Sequence, residues 1–214
     1  MKRLDFNIEN SLEISKGLVS SFEKRRSTRV FSGQKIPEEI IDNAIRVAGL
    51  APSGANKQPW HFAKISDKRT IKKVRELSEI REREFYIEKP NQKWIDDLKH
   101  LNVDEDKSFL DNASHIIPVF YENTSVIDGE LSKNYYAKES VGIATGMLLS
   151  ALHLTGVQTL TYTPIKMSFM RDFLGLDKSY KIFIVIIVGI SPREYEVPDI
   201  VKKSINEISS IYSI

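Results

Sequence analysis

Residues 182–190 contain no charged or polar side chain, and seven of the nine are Ile or Val. The run is about half of the roughly 18 residues that a helix needs to cross a bilayer. Its β-branched content predicts a strand, and its lack of alternation predicts one that meets water on neither face. Such a strand exists only in a sheet covered on both sides, which confines the chain to an α/β or α+β architecture.

The covering elements can be read along the chain. Leu18, Val19 and Phe22 predict a helix over 12–24. A second helix starts at Pro37, carries Glu38 and Glu39 at its positive end, buries Ile40, Ile41, Ala44, Ile45 and Ala48, and stops at Gly49 before Pro52. Strands are predicted over 60–66, 116–121, 158–162 and 181–190. Helices are predicted over 68–85 and 135–154, with a short one after Pro164. Gly142 and Gly146, four residues apart, predict close approach of another helix. With 214 residues, 41% hydrophobic, and no linker or repeat, the whole of 1–214 is expected to form one domain. Residues 81–107 stand out, with 14 charged residues among 27 and with Phe85, Tyr86 and Trp94 among them. Such a stretch suits a cover over a site better than a core.

Composition removes several function classes. The net charge of +2 gives no footing for nucleic-acid binding. The absence of cysteine excludes disulfides and thiolate chemistry and fits a reducing, cytoplasmic setting. The first residues lack the apolar stretch of a signal peptide, and no membrane partner is expected. The four histidines are scattered, so no metal site is expected, and His61 is read as structural. No phosphate-binding glycine motif and no serine-nucleophile elbow occurs.

Two local patterns carry chemistry. Arg25, Arg26, Ser27 and Arg29 place three guanidinium groups and a hydroxyl within five residues, enough to surround a phosphate; the same cluster could be a solvated basic helix end. The stretch 51–60, Ala-Pro-Ser-Gly-Ala-Asn-Lys-Gln-Pro-Trp, is either a Pro-rich turn or a binding loop offering Ser53, Asn56 and Gln58.

In this order the two patterns resemble the marks of the nitroreductase superfamily of flavin enzymes: R-R-S-x-R, then P-S-x-x-N-x-Q-P-W-x-F from Pro52 to Phe62. Thr161-Tyr162-Thr163-Pro164 is similar to the family segment that reaches the flavin ring. The resemblance covers about 13–203 and implies a mixed sheet flanked by helices, an intertwined homodimer, and FMN in each interface cleft. It assigns cofactor binding to Arg25, Arg26, Ser27, Thr28, Arg29, Pro52, Ser53, Asn56, Thr161, Tyr162, Thr163 and Lys202. Lys202 stands where an Arg is common, keeping the charge and losing the fork. Thr163, whose hydroxyl would meet flavin N5, is the catalytic candidate.

Within the superfamily, Glu82 to Tyr86, Lys93 to Lys99, and Lys107 with Leu110-Asp111 resemble the lid of iodotyrosine deiodinases. That likeness implies that Glu82, Tyr86 and Lys107 hold the zwitterion of an amino-acid substrate. The Ala55 N–H would then meet its phenolate. The residue types agree, since a carboxylate takes an ammonium and a lysine a carboxylate. The alternative is three surface residues in a charged segment. The expected lid spans about 84–107, and a C-terminal extension about 191–214. The implied activity is reductive dehalogenation of halotyrosines, with NAD(P)H or another electron donor as reductant. The rivals are a general nitroreductase or quinone reductase of broad aromatic specificity, sharing the flavin residues and differing in the lid, and a non-enzymatic binding module.

Overall fold

A computed structural model describes residues 6–88, 90, 92–98, 104–164, 166–197 and 200–212. Residues 89, 91 and 99–103 of the expected lid fall outside the described residues, as do 198–199 and 213–214 of the expected extension.

The apolar run lies within β6 (Tyr180–Gly189), between β2 (His115–Glu122) and β5 (Gln158–Tyr162), while β1 (Trp60–Phe62) pairs with the outer side of β2. These pairings are antiparallel, and the parallel contribution is a bridge from Ser27 to Thr159. Val185 to Val188 are fully buried, as the sequence requires. Alternation then divides the core. Ile116, Phe120, Val185 and Ile187 face one cluster with Ile71, Val74 and Met170, whereas Ile117, Val119, Tyr121, Ile186 and Val188 face another with Ile41, Ala44, Val141, Leu148 and Leu152. The period of two makes each strand serve both clusters.

The helices follow from local chemistry. The Asn7 side chain caps α1 (Ile8–Phe22) by accepting from Asn10 N–H. Glu38 and Glu39 occupy the first turn of α2 (Glu38–Gly49) and Arg46 the last, matching the macrodipole at each end. Asp67 caps α3 (Lys68–Arg83), accepting from Thr70 N–H at 2.8 Å. A π-turn, Glu84–Glu88, follows it, then α4 (Gln92–Leu98). The central helix is α5 (Ala137–Leu154), and α6 (Phe169–Phe173) and α7 (Ile205–Ile208) complete the set.

Several features differ from the sequence reading: α1 runs from Ile8 to Phe22 where the sequence predicts 12–24, and β1 stops at Phe62 where it predicts a strand to 66. A hairpin of β3 (Thr124–Ile127) and β4 (Glu130–Lys133) precedes α5, turning at Asp128 and Gly129, both with positive φ. Asp-Gly between β-formers is the signal for such a turn, and it was present in the sequence. At Gly142 and Gly146 no other helix of the described chain closes in: an added Cβ would meet only the Phe183 ring edge at 3.7 Å at the first and nothing within 4 Å at the second. Among the described residues no helix is long and apolar enough to cross a membrane.

At the start of α2, Glu38 accepts from Lys64 at 2.7 Å and contacts His115 Nε2 at 2.9 Å, tying α2 to β2. The Lys64 and His115 contacts hold the Glu38 carboxyl down to about 2 from an ordinary value of 4.5. A carboxyl depressed on folding adds stability above its unfolded pKa, and that contribution is lost as pH falls from about 4.5 through about 2. Its side chain is half exposed, so solvent screening trims the effect. Urea unfolding across this range is expected to show a shallower acid loss of stability in Glu38→Gln than in the wild type.

Candidate functional site

The chain leaving α1 runs beside β5. Thr28, buried, donates its N–H to the Thr159 carbonyl at 3.0 Å, and the adjacent Ser27 bridges Thr159 in parallel. Residues 27–29 therefore run in the same direction as 159–161. Arg25, Arg26 and Arg29 are half-buried, and among the described residues none of them pairs with a carboxylate. The Arg26 guanidinium donates to the carbonyls of Glu23 and Arg25. Main-chain carbonyls are neutral, so three positive charges stand together uncompensated, a setting that favours a multiply charged anion.

Parity along β5 sorts the next segment. Thr161 and Thr163 are exposed, and Tyr162 points into the core. The Tyr162 ring packs edge-on to Phe109 at 6.3 Å, and its hydroxyl donates to Glu82 Oε1 at 3.4 Å. What Tyr162 offers to the outer face is main chain.

The loop after α2 is held in an unusual conformation. Ala55, Asn56 and Gln58 all have φ near +50°, which disfavours side chains. The bonds that retain it include Asn56 N–H to the Ser53 carbonyl, Lys57 N–H to the Gly54 carbonyl, Gln58 N–H to Ser53 Oγ, and Lys57 Nζ to Ser132 Oγ at 2.8 Å on β4. Ser53 thus serves inside the loop. Ala55 is exposed, and its N–H has no hydrogen-bond partner among the described residues, leaving a free main-chain donor. Pro52 and Asn56 are exposed beside it.

The three side chains expected to hold a zwitterion meet. Glu82 ends the buried stripe of α3 that begins with Ile71, Val74 and Ser78. Lys107, which precedes a 3-10 turn, Ser108–Asn112, sets its Nζ 3.8 Å from Glu82 Oε2 and 5.7 Å from the centre of the Tyr86 ring. Both charged residues are only 5% exposed. Burial pushes the Lys107 ammonium down, with Glu82 opposing; burial and then Glu82 push the Tyr86 phenol up. Phe85 packs edge-on to Trp94 of α4 at 4.9 Å, and Lys166 pairs with Glu84 at 2.7 Å, tying the π-turn to the segment after β5.

Sequence reasoning placed Glu82, Tyr86 and Lys107 together and missed Tyr162 as their neighbour. Among the described residues no hydrogen bond or ion pair joins the 52–58 loop or Lys202 to the Arg cluster. Lys202 lies in a segment, 200–212, that is exposed throughout.

Residues 22–190 match the model of the nitroreductase family. The chain is 38% identical over 208 residues to iodotyrosine deiodinase of Haliscomenobacter hydrossis, covering 97% of this chain and 94% of that one. It is also 38% identical to iodotyrosine deiodinase of Hydra vulgaris, covering 95% of this chain and 75% of that one. A crystal structure of oxidized iodotyrosine deiodinase bound to FMN and 3-iodo-L-tyrosine superposes with a TM-score of 0.73 and 27% identity, over 87% of this chain and 97% of that one.

The loop's dependence on Gly54 can be measured directly. A Cβ there would lie 2.6 Å from the Tyr135 carbonyl oxygen, so main chain must shift. Gly54→Ala is expected to destabilise the fold by about 1–3 kcal/mol, seen as a lower urea midpoint at unchanged slope.

Proposed function

The chain belongs to the nitroreductase family, on its iodotyrosine deiodinase branch, and from that premise we propose that it binds FMN and reductively dehalogenates halotyrosines. The observation that carries the substrate class is the buried Glu82–Lys107 pair with Tyr86 beside it. A zwitterion can enter such a pair by exchange: its ammonium takes the place of Lys107 at Glu82, and its carboxylate takes the place of Glu82 at Lys107. Both buried charges stay compensated, and each charge-assisted contact is specific to the amino-acid end.

The residues present fit FMN. Arg25, Arg26 and Arg29, uncompensated by carboxylates among the described residues, would hold its phosphate together with the Ser27 hydroxyl and Thr28 main chain; Lys202 would add a cation from the C-terminal extension. Pro52, Ser53 and Asn56 would line the cofactor from the loop, and exposed Thr161 on β5, Thr163 just after it, and Tyr162 through its main chain would line it from the sheet. Bound FMN supplies two electrons, drawn from NAD(P)H or another donor, so that with one proton the carbon–halogen bond becomes carbon–hydrogen and halide leaves. The protein's own contribution is placement. Thr163 offers a hydroxyl to the ring, the free Ala55 N–H takes the substrate phenolate, and Glu82, Tyr86 and Lys107 hold the far end. The segment of about 84–107 acts as the lid, and its aromatic pair Phe85–Trp94 supplies the apolar surface that excludes water.

The proposal includes a homodimer. It is supported by α1, which buries none of its residues and exposes Leu12, Ile14, Leu18 and Val19, and by the extension of about 191–214, where Val201 is 98% and Ile211 95% exposed. Ile143, exposed beside the open Gly142 and Gly146, makes a third such surface. Apolar surface on this scale marks an interface. A cytoplasmic setting completes the proposal, in keeping with a cysteine-free chain.

Arg25→Ala is expected to weaken FMN by roughly 10- to 150-fold, the value of one charge-assisted contact of about 1.5–3 kcal/mol, read by equilibrium dialysis of the cofactor. Protein that takes up no FMN would end the proposal.

Substrate class is tested by comparing iodotyrosine with iodophenol, which lacks the amino-acid end. Two charge-assisted contacts predict a preference of at least about 100-fold, and Glu82→Gln or Lys107→Ala should remove much of it while sparing reduction of a small nitroaromatic. Equal affinity for the two phenols would leave a general nitroreductase.

A further inference from the structure

We infer that Tyr162 is a positioning residue that acts through Glu82: its hydroxyl holds one carboxylate oxygen and so fixes the other for the substrate's ammonium. The inference rests on the proposed zwitterion site and adds a residue whose role there differs from lining the flavin.

Three observations carry it. Tyr162 Oη lies 3.4 Å from Glu82 Oε1, while the 3.8 Å approach of Lys107 is to Oε2, so Tyr162 and Lys107 meet different oxygens of the carboxylate. Tyr162, Glu82 and Lys107 are all buried, so each polar contact replaces one that water would otherwise make. Burial, reinforced by the Glu82 charge, pushes the Tyr162 phenol well above its ordinary value, so it stays protonated and donates. A carboxylate on a flexible side chain has two rotatable oxygens, and a donor on Oε1 selects the rotamer that presents Oε2 to Lys107 or to an arriving ammonium.

The backbone gives this contact a second consequence. Tyr162 is the last residue of β5, with Thr161 before it in the strand and Thr163 just beyond it, and the side chains of both threonines are exposed. The chain therefore links the residue that orders the ammonium partner to the residues proposed to meet the ring, with one peptide unit on either side.

The test is equilibrium titration of the FMN-loaded protein with iodotyrosine and with its des-amino analogue, an iodinated hydroxyphenylpropionate that keeps the carboxylate. Tyr162→Phe preserves the ring and its packing on Phe109 and removes only the hydroxyl. It is expected to lower the preference for iodotyrosine over the des-amino analogue by about 10-fold, the size of one hydrogen bond to a charged group. Affinity for the analogue itself should change far less. In a Glu82→Gln background, Tyr162→Phe should have no further effect on that preference, since its action runs through the carboxylate. A merely structural tyrosine would weaken both ligands alike and would act additively with Glu82→Gln; either result overturns the inference. A wild-type protein with no preference for iodotyrosine over iodophenol overturns the zwitterion site itself, whereas a preserved wild-type preference that Tyr162→Phe leaves intact overturns only the role of Tyr162.

Discussion

The pairing of β2 with β6 sets everything else, because β2 up to Tyr121 and the second half of β6 are buried on both faces. Ile116 and Ile187 look one way, Ile117 and Val188 the other, and both directions must be filled. The chain fills one with α3 and α6 and the other with α2 and α5. Once β5 docks on β6, its register is fixed by the same demand: Leu160 and Tyr162 must point to the α3 side. A slip of one residue would bring Thr161 and Thr163 into the core and turn Tyr162 outward. The outward hydroxyls and the inward phenol are thus one decision, made by hydrophobic burial rather than by the site.

The core on the α3 side then accepts a buried ion pair, which calls for a reason. Burying two charges costs more than their attraction returns unless further hydrogen bonds assist, and Tyr162 gives that assistance on one side. The pair is long at 3.8 Å, beyond an ordinary hydrogen bond. Its desolvation is already included in the free energy of the folded protein. A zwitterion entering that site would meet charges already stripped of water, so its own desolvation and the ordering of the site are what oppose binding. That is the advantage of a preformed site over a lysine and a glutamate free in solvent.

Legibility in the sequence followed apolar patterning. The strand at 158–162 was read to the residue, and β6, β2 and α5 to within two, because β6 and β2 are continuous apolar runs and α5 is a long, largely apolar stretch. The hairpin at 124–133 escaped since its side chains are largely exposed and polar, leaving only Asp128-Gly129 as a sign. The burial of Glu82 and Lys107 could not be read, because a charged residue in a charged segment reads as solvated; their grouping came from family resemblance. The partnership of Tyr162 with Glu82 joins residues 80 positions apart and has no local signature. The open face at Gly142 and Gly146 shows the converse, a pattern whose partner is not among the described parts of the same chain.

That open face bears on how cofactor and assembly relate. The least covered elements of the chain are α1 and the C-terminal extension, one leading directly into Arg25, Arg26 and Arg29 and the other carrying Lys202. The cations proposed for the phosphate therefore hang from the two segments whose apolar residues lack cover. In the proposed dimer, burying α1 and the extension would also fix those cations in place and exclude water from the anion they surround, which strengthens each contact. A single chain would hold the same charges on elements whose apolar residues lack cover, with side-chain ordering cost still to be met at the moment of binding. Assembly and cofactor retention are then linked by the same apolar surface, and each should stabilise the other by mass action.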